Sequence, residues 1–145
     1  MWSTIATTDI LSEFTPQEQV SLNAIQGVST ALAAILSRVV NAARDSILAG
    51  GNPISPTAAT IPDQVRTEII AIARWKWLIS FPQLKNLQTD ARKQAAADAE
   101  ALLQLIASQK SDRPRVVGPD GTSPLTMPAI KKHCRMMTDR TQEGL

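Results

Sequence analysis

Histidine and cysteine are the side chains best suited to acid–base, nucleophilic or metal chemistry, and this chain has one of each, adjacent at His133 and Cys134. A general base needs an oriented partner, which the sequence does not identify for His133. A structural zinc site needs further cysteine or histidine ligands. The pair therefore predicts surface or interface residues, with no metal, no cofactor and no catalytic role. A single cysteine also excludes an internal disulfide and fits synthesis in a reducing cytoplasm.

Two other patterns that often carry chemistry are weak here. The Gly-Gly pair at 50–51 leads into Asn52 and a proline, not into the lysine and serine of a phosphate loop. Asp98 and Glu100 are two residues apart, so on a helix they point to different sides. The sequence therefore predicts that the protein is not an enzyme. A small helical enzyme with a pocket of convergent titratable groups is a further alternative.

Basic and aromatic residues alternate in Arg74-Trp75-Lys76-Trp77, as they do on surfaces that stack nucleic-acid bases. The stretch lies within a long apolar pattern, however, and Trp77 falls on the apolar side of that pattern. We therefore predict that Trp77 is in the core and that Trp75 caps the edge of a helical bundle or faces a neighbouring subunit. Base stacking is the less favoured interpretation.

Charge is distributed unevenly along the chain. Residues 1–109 carry eight Lys/Arg against nine Asp/Glu, whereas residues 110–145 carry seven against four. The second region is therefore about +3, which favours an acidic partner, either protein or nucleic acid. Three excess charges are too few by themselves to predict DNA binding.

The stretch around which the chain is organised is Ile61–Phe81, with Pro62 suited to the first turn of a helix and Pro82 unable to continue one. Its charged residues argue against a membrane span. Its apolar residues form two adjacent stripes, which predicts a central helix covered by neighbours on most sides. The first stripe is Val65, Ile69, Ile72 and Ile79, and the second is Ile70, Ala73 and Trp77.

Four further helices are predicted around this one. A short helix covers residues 8–14, and the capping box Thr15-Pro16-Gln17-Glu18 starts a second that runs to about residue 25. A long amphipathic helix covers residues 29–49, and the last helix covers residues 89–109. Residues 52–61, which include two prolines, predict an extended loop that is either functional or a surface connection.

Apolar spacing assigns an inner face to the two longest of these helices. For helix 29–49 and the residue before it, the inner face is Val28, Leu32, Ile35, Leu36, Val39, Ala43 and Ile47. The face predicted to lie in water is Ser37, Arg38, Asn41, Arg44 and Asp45. For the last helix, the inner face is Ala91, Ala95, Ala99, Leu102 and Ile106.

Together these elements predict an all-α protein, a small helical bundle around a central buried helix, with an extended C-terminal tail. The alanine-rich, aromatic-poor composition favours closely packed helices over a sheet. We divide the chain into a helical domain, residues 1–110, and an extended C-terminal arm, residues 111–145. In the arm, a Pro-Asp-Gly turn at 119–121 predicts a small hairpin, and residues 127–137 predict a short basic helix. The arm is either disordered or ordered by a partner, and no secretory signal or transmembrane segment is predicted.

The order of elements resembles that of the head–tail adaptor proteins of tailed bacteriophages, also called connector or head-completion proteins. The resemblance covers about residues 7–109. It rests on TTDILSEFTPQEQVSLN, AARDSILAGG, the loop NPISPTAATIP, the helix PDQVRTEIIAIARWKWL and the alanine-rich last helix. It implies a homo-oligomeric ring, commonly a dodecamer, between a portal protein and a stopper or tail protein. DNA would pass through its channel without specific binding, at the head–tail interface of a virion assembled in the host cytoplasm, with no membrane.

The resemblance also implies that the C-terminal arm holds the portal or adjacent subunits. Folding on binding lets a short segment cover a large surface, and a ring adds affinity through multivalency. A small helical nucleic-acid-binding protein with a basic C-terminal arm is the alternative, and it predicts binding that falls steeply with salt. A stopper is the nearest competitor within phages, although stoppers are usually richer in strands. The partner-binding residues implied are the basic Arg113, Arg115, Lys131, Lys132 and Arg135 and the apolar Val116, Val117, Leu125, Met127 and Ile130.

Overall fold

A computed structural model describes residues 1–108 and 116–119. It confirms the all-α class: the described residues form a small helical bundle beside one two-stranded ribbon. The elements in chain order are β1 (Trp2–Thr4), α1 (Thr7–Leu11), α2 (Pro16–Asn23), α3 (Val28–Ala49), β2 (Thr60–Pro62), a 3₁₀ helix (Asp63–Val65), α4 (Arg66–Ser80), a second 3₁₀ helix (Pro82–Leu87) and α5 (Asp90–Ala107).

The predicted central helix is α4, which packs against both α3 and α5. It begins later than predicted, because Pro62 ends β2 and a 3₁₀ turn precedes Arg66. Ile79, predicted in an apolar stripe, is 51% exposed. It lines an open groove between α3 and α4, and the α3 side chains of that groove, Ile35, Arg38, Val39 and Ala42, leave it half exposed. The buried side chains of α4 are Ile69, Ile72, Ala73, Trp77 and Leu78.

Trp77 confirms the prediction of a core tryptophan. Its side chain is fully buried, and its indole Nε1 donates a hydrogen bond of 3.0 Å to the carbonyl oxygen of Val28, at the start of α3. The Phe14 ring meets the indole edge-on, with ring centroids 5.8 Å apart and planes at 75°. The large apolar ring can be buried because its one polar group has a partner. We call this end of the bundle the Trp77 end.

The predicted capping box starts α2. The Thr15 hydroxyl accepts a hydrogen bond of 3.3 Å from the Glu18 N–H, and the Glu18 carboxylate accepts one of 2.9 Å from the Thr15 N–H. After α2, Gly27 adopts a φ of +80°, a left-handed conformation that favours glycine. The chain bends there so that α2 and α3 lie at 105°. Both Leu22 and Val28 are buried as a result.

At the opposite end of the bundle, α3 and α5 approach each other closely at Gly50. A Cβ at this position would collide with the carbonyl oxygen of Ile106 in the last turn of α5 and with the Asn52 side chain. Only glycine fits without moving a backbone. We call this end the Gly50 end.

As predicted, residues 52–59 form a loop, but Thr60 and Ile61, at the end of the predicted loop, belong to a strand of the ribbon. β1 and β2 pair antiparallel, with Trp2 opposite Pro62 and Thr4 opposite Thr60. Strands of three residues are too short to show an alternating apolar pattern, and their partners are far apart in sequence. The ribbon ties the N-terminus to the start of α4.

The last helix begins where predicted, since Thr89 is the N-cap of α5 and its hydroxyl accepts a hydrogen bond from the Arg92 N–H. Its inner face is partly different. Ala91 is exposed and Ala95 is only half-buried. Alanines lie on several sides of the first half of the helix, so their spacing does not mark one face. The buried side chains are Ala96, Ala99, Leu103 and Ile106.

Candidate interaction surfaces

Residues 116 and 117 lie against the Gly50 end of the body through polar contacts. The Trp2 indole Nε1 donates to the carbonyl oxygen of Val117 at 3.0 Å, and the Val117 N–H donates to Gln64 Oε1 at 3.0 Å. The Val116 N–H donates to Asn52 Oδ1 at 3.5 Å, and the Val116 side chain, 2% exposed, belongs to the core. We call Trp2, Asn52 and Gln64 the anchor site. It fixes the position of the chain just before residue 120.

Two of the ten predicted partner-binding residues are described. The Val116 side chain is buried in the core of its own chain, and its N–H donates to Asn52. In this state Val116 offers no surface to a partner. Val117 is half-buried and has both backbone groups bonded. Of the predicted hairpin, residues 116–119 are described and form no strand, and its other residues lie outside the described part of the chain. The predicted basic helix also lies outside it, as do Arg113, Arg115, Leu125, Met127, Ile130, Lys131, Lys132 and Arg135.

Sequence patterns do not single out the anchor site. Asn52 and Gln64 are polar residues in or beside a loop, where such residues are common. Trp2 is the one available signal, an isolated aromatic residue in a polar N-terminal stretch. Its partner is 115 residues away, and no local pattern connects positions at that separation.

Arg44 holds the loop that precedes β2. It was predicted on the wet face of α3, but its guanidinium donates hydrogen bonds to the carbonyl oxygens of Thr60 and Ser55, the latter at 2.7 Å. The guanidinium also lies 5.7 Å from the Trp2 ring centroid. Ser55 and Thr60 are buried, and buried backbone carbonyl groups need such partners. Arg44 therefore positions both the loop and the Trp2 ring of the anchor site.

Arginine–carboxylate pairs join the short N-terminal helices to the rest of the bundle. Such pairs fix geometry well because the guanidinium can donate several hydrogen bonds. The carboxylates lie in α1, in the turn after it and at the start of α2, and the arginines lie in α4 and α5. The pairs are Arg66 with Asp9 at 2.7 Å, Arg74 with Glu13 at 3.3 Å and Arg92 with Glu18 at 2.9 Å.

Glu18 has the most complete set of partners among these carboxylates. Burial by itself raises its pKa, but hydrogen bonds from the Thr15 N–H and the Arg92 guanidinium outweigh burial and bring the pKa of Glu18 below its ordinary value of 4.5. The Arg92 guanidinium also lies 4.9 Å from the Phe14 ring centroid. Burial and the neighbouring charge of Arg92 lower the pKa of Arg74. These charges form part of the packing at the Trp77 end.

The four side chains of residues 74–77 lie in different environments. The Arg74 side chain is 14% exposed and paired with Glu13, and Trp77 is fully buried. Lys76 lies 3.5 Å from Glu100 on α5, and Trp75 is half-buried. The alternating residues therefore do not form one exposed face.

Two open grooves flank α4. The groove between α3 and α4, about 590 Å³, carries two cationic side chains, and the groove between α4 and α5, about 310 Å³, carries two carboxylates. The first is lined by Ile35, Arg38, Val39, Ala42, Lys76 and Ile79, among others. The second is lined by Glu68, Ala71, Ala95, Asp98, Ala99 and Leu102, among others. We call them the basic groove and the acidic groove.

Among residues 1–108 and 116–119, no group of three or more His, Cys, Asp or Glu side chains is placed to hold a metal ion. No single helix in that part of the chain is long and apolar enough to cross a membrane, and α2 with α3 meets the requirement only as a pair bent by 105°. No family of proteins, curated protein or solved structure matches this chain.

Proposed function

We propose that this protein is a structural virion component, the subunit of an adaptor ring that joins a portal protein to a stopper or tail protein and extends the DNA channel. The order of its elements resembles that of head–tail adaptors. The body is the small helical bundle that such a subunit requires. DNA passes through the ring without specific binding.

The observation that carries the proposal is the anchor site. Trp2 and Gln64 hold Val117 by its backbone, so residues 120–145 start from a fixed position on the body. Lys131 is twelve residues beyond Pro119, which limits its distance from that point to about 40 Å. A basic segment tethered to one end of a near-neutral body can reach an acidic neighbouring ring while the body stays in its own ring.

The test is docking of the full-length protein to portal rings made from the portal protein of the same genome, with the complex mass measured by light scattering. We expect a stable complex of ring stoichiometry. The variant K131E/K132E should lose docking, since it reverses two charges of the segment. The matched control is K85E/K93E, which reverses two exposed lysines of the body and should dock like the native protein. A native protein that ignores portal rings overturns the proposal.

Truncation supplies an independent measurement. A chain that ends at Pro119 keeps Val116 in the core, whereas a chain that ends at residue 110 removes a buried side chain and mixes folding with docking. We expect the chain ending at Pro119 to remain helical and to lose docking. If the protein instead binds DNA with an affinity that falls steeply with salt, the nucleic-acid-binding alternative is favoured.

A further inference from the structure

The basic groove presents apolar and cationic groups that the described chain does not cover. Ile79 is 51% exposed, and Ile35 beside it is half-buried. Arg38 is exposed and makes no ion pair with any described residue, whereas Lys76 is paired with Glu100. Arginine is enriched in protein interfaces relative to the rest of the surface, and the exposed Ile79 places an apolar group beside it.

The acidic groove has the opposite character. Its floor contains small side chains, Ala71, Ala95 and Ala99, which leave room for side chains from another surface. Glu68 and Asp98 stand in its walls, and its lining contains no lysine or arginine. Glu68 Oε2 is buried and has no hydrogen-bond donor among the described residues. The Glu68 side chain as a whole is half-buried and Asp98 is exposed, so the groove offers carboxylates to a cationic donor such as a guanidinium, which binds them strongly.

The two grooves open on different sides of the α4–α5 pair. α5 gives Ala95, Asp98, Ala99 and Leu102 to the acidic groove. It gives Glu100, Leu103 and Gln104 to a continuation of the basic groove that shares Val39, Ala42 and Lys76 with it. At 100° per residue, the centres of these two sets are about 140° apart around α5. One copy can therefore use both surfaces at once, with a different neighbour at each.

We infer that the basic groove of one copy, through Arg38 and Ile79, docks into the acidic groove of a second copy, where Arg38 meets Glu68 and Ile79 meets the alanine floor. Self-pairing of either groove would bring like charges together, which opposes a symmetric dimer. A head-to-tail contact leaves one basic and one acidic groove free at the ends of any oligomer. Repetition then gives a ring if the rotation closes and a filament if it does not. Closure as a ring rests on the proposed adaptor function, whereas the contact itself does not.

The test is reciprocal charge reversal in the full-length protein, with mass measured by sedimentation velocity from micromolar to millimolar concentration. The native protein should grow beyond its monomer mass of 15.7 kDa as concentration rises. R38E and E68R should each weaken association about tenfold or more, since each places like charges in contact. An equimolar mixture of R38E and E68R should associate again, because each variant then offers the charge that the other lacks.

Matched controls are K93E and D45R, which reverse exposed body charges outside both grooves and should associate like the native protein. If E68R fails to fold, as judged by circular dichroism, D98R replaces it, because Asp98 is exposed and lies in the same groove. A native protein that stays monomeric at millimolar concentration overturns the inference, and so do variants that associate normally. If E68R or D98R weakens association while R38E does not, the acidic groove binds a group other than Arg38, and the inference is overturned. No portal protein is present, so these outcomes are separate from the docking test.

Discussion

The two ends of the bundle are held by different kinds of contact. At the Trp77 end, a fully buried indole fills the space between α3 and α4, Phe14 meets it edge-on, and Arg92 lies over the Phe14 ring. At the Gly50 end, α3 and α5 approach because a side chain is missing, and hydrogen bonds to backbone groups hold residues 116–117. The first end depends on side-chain volume and the second on backbone fit.

The largest effect is expected at the Trp77 end. Trp77→Ala should lower the free energy of unfolding by about 3–5 kcal/mol, since it leaves a cavity and removes the partner of the Val28 carbonyl oxygen. Urea denaturation followed by circular dichroism measures this change. The control Trp75→Ala truncates a half-buried ring and should lose less than half as much. If Trp77→Ala lowers the free energy of unfolding by no more than Trp75→Ala does, the volume of the buried indole is not the main source of stability at the Trp77 end.

The Gly50 end should be sensitive to an added methyl group. Gly50→Ala should destabilise the fold by about 3 kcal/mol, the upper part of the range for overpacking, because the obstacle is the backbone of α5. The control is Gly27→Ala, where φ is +80° but no atom lies near an added Cβ. That substitution should lower the free energy of unfolding by only about 1–2 kcal/mol, because of backbone strain. Equal thermal shifts for the two variants would contradict the close helix approach.

Glu18 makes the Trp77 end dependent on pH. Its folded pKa is lowered, so its stabilisation is present above about pH 4.5 and is lost as the pH falls through the folded pKa. Glu18→Gln should lose about 2 kcal/mol near neutral pH, in the range for hydrogen bonds to charged groups. The stability of this variant should also fall less steeply than that of the native protein as the pH is lowered. Thermal denaturation of both proteins across the acid range measures the loss of stability and its dependence on pH. If the two stability curves run parallel against pH, Glu18 is excluded as a source of the pH dependence.

The smallest effect on stability should come from the anchor site. Trp2→Phe keeps most of the ring but removes the Nε1 donor to Val117, and should lose about 1 kcal/mol. Hydrogen exchange should then rise at the Val117 amide while amides of α4 stay protected. The control is Trp75→Phe, which should leave the Val117 amide unchanged. Exchange that rises equally in α4 would mean that the two ends unfold as one unit.

Local patterns predicted most of the helical fold. The capping box at Thr15 and Glu18 and the apolar spacing of α3 involve residues a few positions apart. Caps and amphipathic spacing act within one helix, so they can be recognised without knowing its neighbours. In α5 the same method placed Ala91 on the inner face, because alanine is compatible with either side of a helix.

The candidate surfaces depend on contacts that no local pattern encodes. Trp2 reaches Val117, and Arg44 turns from a predicted wet face to hold the loop before β2. Glu68 and Asp98 come from different helices, and they share a groove only because α4 packs on α5.

The sequence by itself therefore determined the helical class, the starts of α2, α3 and α5 and the buried central tryptophan, since these follow from interactions between residues close in the chain. The tertiary structure alone decided that Val116 enters the core, that Ile79 stays exposed and that opposite charges gather in separate grooves. The physical reason is that burial and charge pairing depend on which surfaces meet in space. Two residues of the same type and the same local pattern can be covered or left open by a neighbour far away in the chain.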